Sequence, residues 1–206
     1  MTAVRRYEAS MYDSNRWDGF ELRPGDIIIS TPPKCGTTWT QMICALLIFK
    51  KTTFDAPLDV LSPWVDMLTR DRDTVFAQLE GQRHRRFIKS HTPLDGLPFD
   101  ERVTYICVSR DPRDVALSWD NHMENMDLMA FLSARQAAVG LEDMADVLAA
   151  GPPMRPDSEL ERFWAWIEDD TPPGEAMPSL RTTLHHLSTF WDARAGAYCR
   201  RQSGRR

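Results

Sequence analysis

The sequence predicts an α/β fold, a parallel sheet flanked by helices. Three observations carry that expectation. Short β-branched or apolar runs stand at 26–30, 86–89 and 103–108, each is followed by a turn-rich loop, and helical periodicity fills most of the chain between and after them. Strands that alternate with helices bury both faces of a parallel sheet. The 206 residues suit a single domain, 1–206, large enough to bury about 70% of the surface its unfolded chain exposes.

Taken in order, residues 1–14 form an N-terminal lead in which Arg5, Arg6, Glu8 and Asp13 precede any apolar stretch. Asp26-Ile27-Ile28-Ile29-Ser30, bounded by Pro24-Gly25 and Pro32-Pro33, reads as a buried strand. A loop with Gly36, Thr37 and Thr38 leads into a helix over 39–49 whose apolar residues, 39, 42, 43, 46, 47 and 49, predict burial on most sides. Helical stretches are expected at 58–70 and 72–82, then a strand at 86–89 that ends in the turn-rich segment 91–98. The run 103–108 is a third strand, and Asp111-Pro112 supplies an N-cap with proline at the first helical position, for a helix to about 126. Weak helical pattern continues over 129–150 until Gly151-Pro152-Pro153 breaks it, and helices follow at 159–168 and 179–194. The basic end, 195–206, is expected to be disordered.

Composition narrows the function. Hydrophobic residues make up 42% and charged residues 27%, which excludes disordered and collagenous classes. A net charge of −5 offers no global basic field for a nucleic-acid backbone, so an anionic ligand must be held locally. No run reaches the ~18 apolar residues needed to span a bilayer. Four cysteines without a C-x-x-C pair suit a reducing cytoplasm, and neither a membrane nor a nucleic acid is expected as partner.

Three segments could carry chemistry. Lys34-Cys35-Gly36-Thr37-Thr38-Trp39 lies between a strand and a helix, where unpaired amides and the helix dipole favour a phosphate and Lys34 adds a cation. It is P-loop-like, but its lysine precedes the glycine, unlike the G-x-x-x-x-G-K-[ST] of nucleotide kinases, a less favoured reading. Lys89-Ser90-His91-Thr92-Pro93 ends a strand and would aim a base and a cation at one pocket. Ser109-Arg110-Asp111-Pro112 through Ser118 ends another, with a guanidinium suited to phosphate and a hydroxyl two helical turns on. Taken singly, each has a plainer reading: a helix cap, a structural histidine, a helix start.

In this order the three segments resemble the cytosolic-type sulfotransferases, over residues 15 to 194, and the Phe163-x-x-Trp166 and His185-His186 helices are similar as well. The resemblance implies a donor, 3′-phosphoadenosine-5′-phosphosulfate (PAPS), a product, adenosine 3′,5′-bisphosphate, and no metal. It implies that Lys34, Cys35, Gly36, Thr37 and Thr38 hold the 5′-phosphosulfate, that Trp39 stacks on adenine, and that Arg110 and Ser118 hold the 3′-phosphate. His91 would be the general base, Lys34 and Lys89 would stabilise the moving sulfuryl group, and a small molecule, an aromatic or alcohol hydroxyl, would be the acceptor. Phe20, Trp64, Met67, Phe76, Phe87 and Met123 are candidates for its pocket, while the other histidines are assigned to structure.

Two departures follow from the same resemblance. Position 35 is usually serine, and Cys35 beside Lys34 at a helix N-terminus is expected to have a lowered pKa. The family continues past a helix like 184–194 into a further strand, helices and a basic segment over the 3′-phosphate, whereas here only 195–206 follows. The expectation is a truncated or frame-shifted product with an exposed sheet edge, prone to form a homodimer, or a non-catalytic remnant that binds the nucleotide or a partner.

Overall fold

The computed structural model describes residues 5–150, 155–175 and 178–203. Three strands, β1 (Ile27–Ser30), β2 (Phe87–Ser90) and β3 (Thr104–Ile106), form a parallel sheet in the order β2-β1-β3. Ile27 pairs with Phe87 and Thr104, and Ser30 with Ser90, so all three carboxyl ends open on one edge. Because β1 is central, the chain leaves it on one side to form β2 and crosses back to form β3. That reversal creates the crevice in which ligands of open parallel sheets bind.

Residues on alternate faces of β1 explain the layers. Ile28 points into a cluster with Trp17, Val65, Val75, Leu79 and Ile88, on the side of helix α3 (Arg72–Gly81). Ile27 and Ile29 face Cys44, Ala45 and Phe87 beneath helix α1 (Thr37–Phe49). At the opposite edge of the sheet, Arg86 and Asp26 form a buried bidentate pair, with Nε–Oδ1 at 2.9 Å, while the guanidinium lies over Phe20. The charges are satisfied where two strands begin.

A helix α2 occupies only Leu58–Leu61, not the expected 58–70. Pro63 disfavours helix at Ser62, and the chain beyond runs beside β2, with a parallel bridge from Trp64 to Lys89. Helices α4 (Pro112–Glu124), α5 (Leu128–Ala138), α6 (Ala145–Ala150), α7 (Glu159–Glu168) and α8 (Leu180–Ser203) complete the chain. The breaker Gly151-Pro152-Pro153 lies outside the described residues. The backbone of helix α8 runs on past Arg194 to Ser203, within the segment expected to be disordered, of which 204–206 lie outside the described residues.

Helix α1 is also less buried than expected. Trp39, Ile43 and Leu47 are exposed, with Met42 and Leu46 partly so, an apolar stripe at helical spacing. Among the described residues no strand pairs with the outer edge of β3, where Thr104 is exposed and Tyr105 and Ile106 are half-buried.

Candidate functional site

The three loops that leave the carboxyl edge converge on one cavity of about 820 Å³, whose lining includes Lys34, Lys89, His91, Arg110 and Ser118. Cys35, Gly36, Thr37, Thr38 and Trp39 line it as well. The residues picked from three separate stretches of sequence therefore share one hollow.

The loop after β1 is built for an anion. Lys34 and Gly36 both adopt left-handed backbone, φ 66° and 95°, which turns the chain sharply into α1. Helices α3, α4, α5 and α7 each start with an Asp or Ser side chain on their free amides, but α1 has none. Its N–H groups are left for a ligand. Thr37 is turned inward, hydrogen-bonded through Oγ1 to Thr31 Oγ1 at 2.5 Å, so its side chain braces the loop while its amide stands at the uncapped helix terminus. Trp39 is 78% exposed, an indole face open to a planar partner.

His91 is buried at the end of β2. Its Nδ1–H donates to the Thr31 carbonyl at 2.7 Å, because a carbonyl can only accept, which leaves the Nε2 lone pair available. The Trp64 ring meets the imidazole edge-on at 4.7 Å, and Lys89 Nζ sits 4.1 Å from the same indole. Burial, then the neighbouring Lys89, hold the His91 pKa well below the usual histidine range. It is neutral at physiological pH and able to take a proton. Burial lowers Lys89 to about 8, with Asp66 opposing that fall, and burial and then Arg110 lower Lys34. The cations crowd one another, an arrangement that an anion relieves.

Several residues of the cavity wall escaped the sequence reading. Ala9, Met11 and Tyr12 come from the N-terminal lead, and Trp119, Met126 and Phe131 from α4, the turn after it and α5. His122, assigned to structure, lines the cavity too. His186, likewise assigned to structure, is buried off the wall with Nε2 3.1 Å from Ser30 Oγ. Of the expected acceptor residues only Trp64 and Met67 line the cavity; Phe20, Phe76 and Phe87 belong to the core, and Met123, though on α4, is not on the wall.

Cys35 corrects a second expectation. Its thiol is buried, and desolvation raises the pKa more than the hydrogen bond and charge of Arg110 lower it. Alkylation of the native chain with iodoacetamide at pH 7.5, followed by mass spectrometry, is therefore expected to modify Cys35 at least ~10-fold more slowly than in urea. Equal rates would contradict the burial.

An uncapped helix terminus, clustered cations and a neutral histidine meet at the switch point of a parallel sheet, an arrangement chemically suited to an anion and to accepting a proton. The chain belongs to the sulfotransferase family, whose sulfotransferase domain it matches over residues 24–192. It is 42% identical over 197 residues to a glycolipid sulfotransferase of Mycobacterium bovis and 43% identical over 192 residues to one of Mycobacterium tuberculosis. Each match covers 90% of this chain and 59% of the relative, so the chain spans about three fifths of their length. The structure is similar in fold to mouse sulfotransferase SULT7A1 complexed with PAP, at a TM-score of 0.54 and 15% identity, over 87% of this chain and 51% of that one.

Proposed function

We propose that the chain transfers the sulfuryl group of PAPS to a hydroxyl of a small molecule. The observation that carries the reading is the shared cavity in which Lys34, Lys89 and the open α1 amides face a neutral His91. The residues present suit the donor. Lys34 and the amides of 36–38 would hold the 5′-phosphosulfate, Trp39 the adenine, and Arg110 with Ser118 the 3′-phosphate. When bound, the donor supplies an activated sulfuryl group.

This chain's own residues do the rest. His91 Nε2 takes the proton of the acceptor hydroxyl, with its tautomer held by Thr31. Lys89 and Lys34 place positive charge where negative charge grows, and being fixed they need no reorganisation during the reaction. Trp64, Met67, Trp119 and Phe131 form an apolar wall that orients the acceptor and excludes water. An amphiphilic hydroxyl compound fits such a wall, and the mycobacterial relatives' names favour a glycolipid over a simple phenol.

One observation favours a second reading, binding without turnover. Arg110 is exposed, its Nε 3.4 Å from Asp114, so a 3′-phosphate held there would stay open to solvent. The same open surfaces, the α1 stripe and the β3 edge, favour a homodimer that covers them. The free thiols of Cys35, Cys44 and Cys107 suit a cytoplasmic setting.

Calorimetric titration with adenosine 3′,5′-bisphosphate, paired with transfer of labelled sulfate from PAPS to glycolipids and phenols, tests both readings. Saturable binding with transfer is expected. Binding with no transfer selects the second reading, and no binding overturns both.

A further inference from the structure

Asp66 stands outside the three segments that the proposed function uses, yet it holds the most enclosed carboxylate near them. It is fully buried, and its Oδ2 accepts hydrogen bonds from Ser90 Oγ, at 2.7 Å, and from Thr92 Oγ1. These are the residues on either side of His91. The Thr92 N–H donates in turn to Ser90 Oγ at 3.0 Å, which closes the clamp. Oδ1 is buried without a partner among the described residues. A carboxylate enclosed in this way is costly for stability unless it is paired.

The location of the clamp gives it a role. Strand β2 ends at Ser90, so the backbone that carries His91 has left the sheet ladder. Asp66 replaces the ladder with a side-chain anchor. Its own segment is fixed on both flanks: the Asp13 N–H donates to the Asp66 carbonyl at 2.9 Å, and the Lys89 N–H donates to the Pro63 carbonyl at 2.9 Å. Three charged or titratable groups face its field: Lys89, Arg16 and Tyr12.

We propose that Asp66 is a positioning residue that sets the imidazole of His91 by holding the Ser90 and Thr92 hydroxyls on either side of it. The inference rests on His91 being the proton acceptor of the proposed reaction. Displacing a reacting group by ~1 Å can cost ~10²-fold in rate, so an anchor adjacent to the base acts on turnover more than on affinity.

The test compares Asp66→Leu, which removes both acceptor oxygens at similar volume, with a Ser90→Ala/Thr92→Val double variant that keeps the carboxylate. In a transfer assay both are expected to lose roughly 10–100-fold in kcat, while affinity for adenosine 3′,5′-bisphosphate stays within about twofold. Adding Asp66→Leu to the double variant should cause little further loss, because the residues act as one unit. With isotope-labelled histidine, the His91 ring nitrogens should shift or broaden in each variant while those of His122, on the same cavity, stay in place. A folded Asp66→Leu protein with wild-type kcat and unmoved His91 signals overturns the proposal. Loss of nucleotide affinity at constant kcat also overturns it. Should the wild-type chain transfer no sulfate, the functional reading fails, and the His91 signals still decide the role of Asp66. If Asp66→Leu does not fold, the Ser90→Ala and Thr92→Val single variants decide it by the same signals.

Discussion

Replacement of His91 by alanine is expected to lower sulfate transfer by ~10²–10⁴-fold while affinity for adenosine 3′,5′-bisphosphate stays within about twofold. The imidazole is hydrogen-bonded to the loop after β1 through the Thr31 carbonyl, and its free nitrogen is the one that a hydroxyl would meet. Lys34→Ala is expected to behave differently. Lys34 lies in the loop that would hold the 5′-phosphosulfate, so both turnover and nucleotide affinity should fall. Calorimetry and initial-rate kinetics on the two variants separate the roles, and an equal loss of affinity in both would refute the assignment. The electrostatics add a second readout. Lys89 and Lys34 are among the groups that keep His91 from charging, and a bound anion offsets both, so the nucleotide should raise the His91 pKa measured by NMR titration.

The legible part of the site was its polar part. Each strand ended in a loop with its own punctuation, Pro32-Pro33, Pro93 and Asp111-Pro112, and in parallel strands the order of those loops alone places them on one edge. The apolar wall was not legible, because Met11, Trp119 and Phe131 are remote in sequence and no local period marks residues that meet only in the tertiary fold. Local rules also failed where burial decides. Lys34 and the helix terminus favour a reactive Cys35 thiol, but the thiol is enclosed against Val115, Ala116 and Trp166 and desolvation prevails. The apolar periodicity of α1 locates the helix but overstates its burial, because no local pattern tells what covers each side, and one stripe is open.

The burial that keeps His91 neutral should make the fold sensitive to acid. His91 is held well below its usual pKa and His186 is lowered to about 3, both chiefly by desolvation, so the native state resists protons that the unfolded chain accepts below about pH 6.5. Stability is then complete above pH 6.5 and falls with acidification, by ~1.4 kcal/mol per pH unit for His186. Between pH 6.5 and 4.5 His186 alone removes ~3 kcal/mol, a large share of the stability of many domains, and His91 adds to the loss. His122 and His185, lowered by partial burial, act in the same sense. Asp66 acts in the opposite one: its raised pKa means that the native carboxyl binds a proton before the unfolded one, which offsets part of the loss. The exposed Asp100 and Asp111, near 2, matter only below about pH 4 and leave this window to the histidines. On the alkaline side Lys89, about 8 when folded, sheds its proton before the unfolded chain does, so stability rises rather than falls between pH 8 and 10.5. Urea unfolding followed by circular dichroism at pH 4.5, 5.5, 6.5 and 7.5 should show the midpoint falling steeply below 6.5. His186→Asn, which can keep the contact to Ser30 without titrating, should make that fall shallower. A midpoint unchanged from pH 6.5 to 4.5 would mean that these two imidazoles are charged or hydrated in the fold, and the neutral base on which the proposed transfer depends would be lost with them.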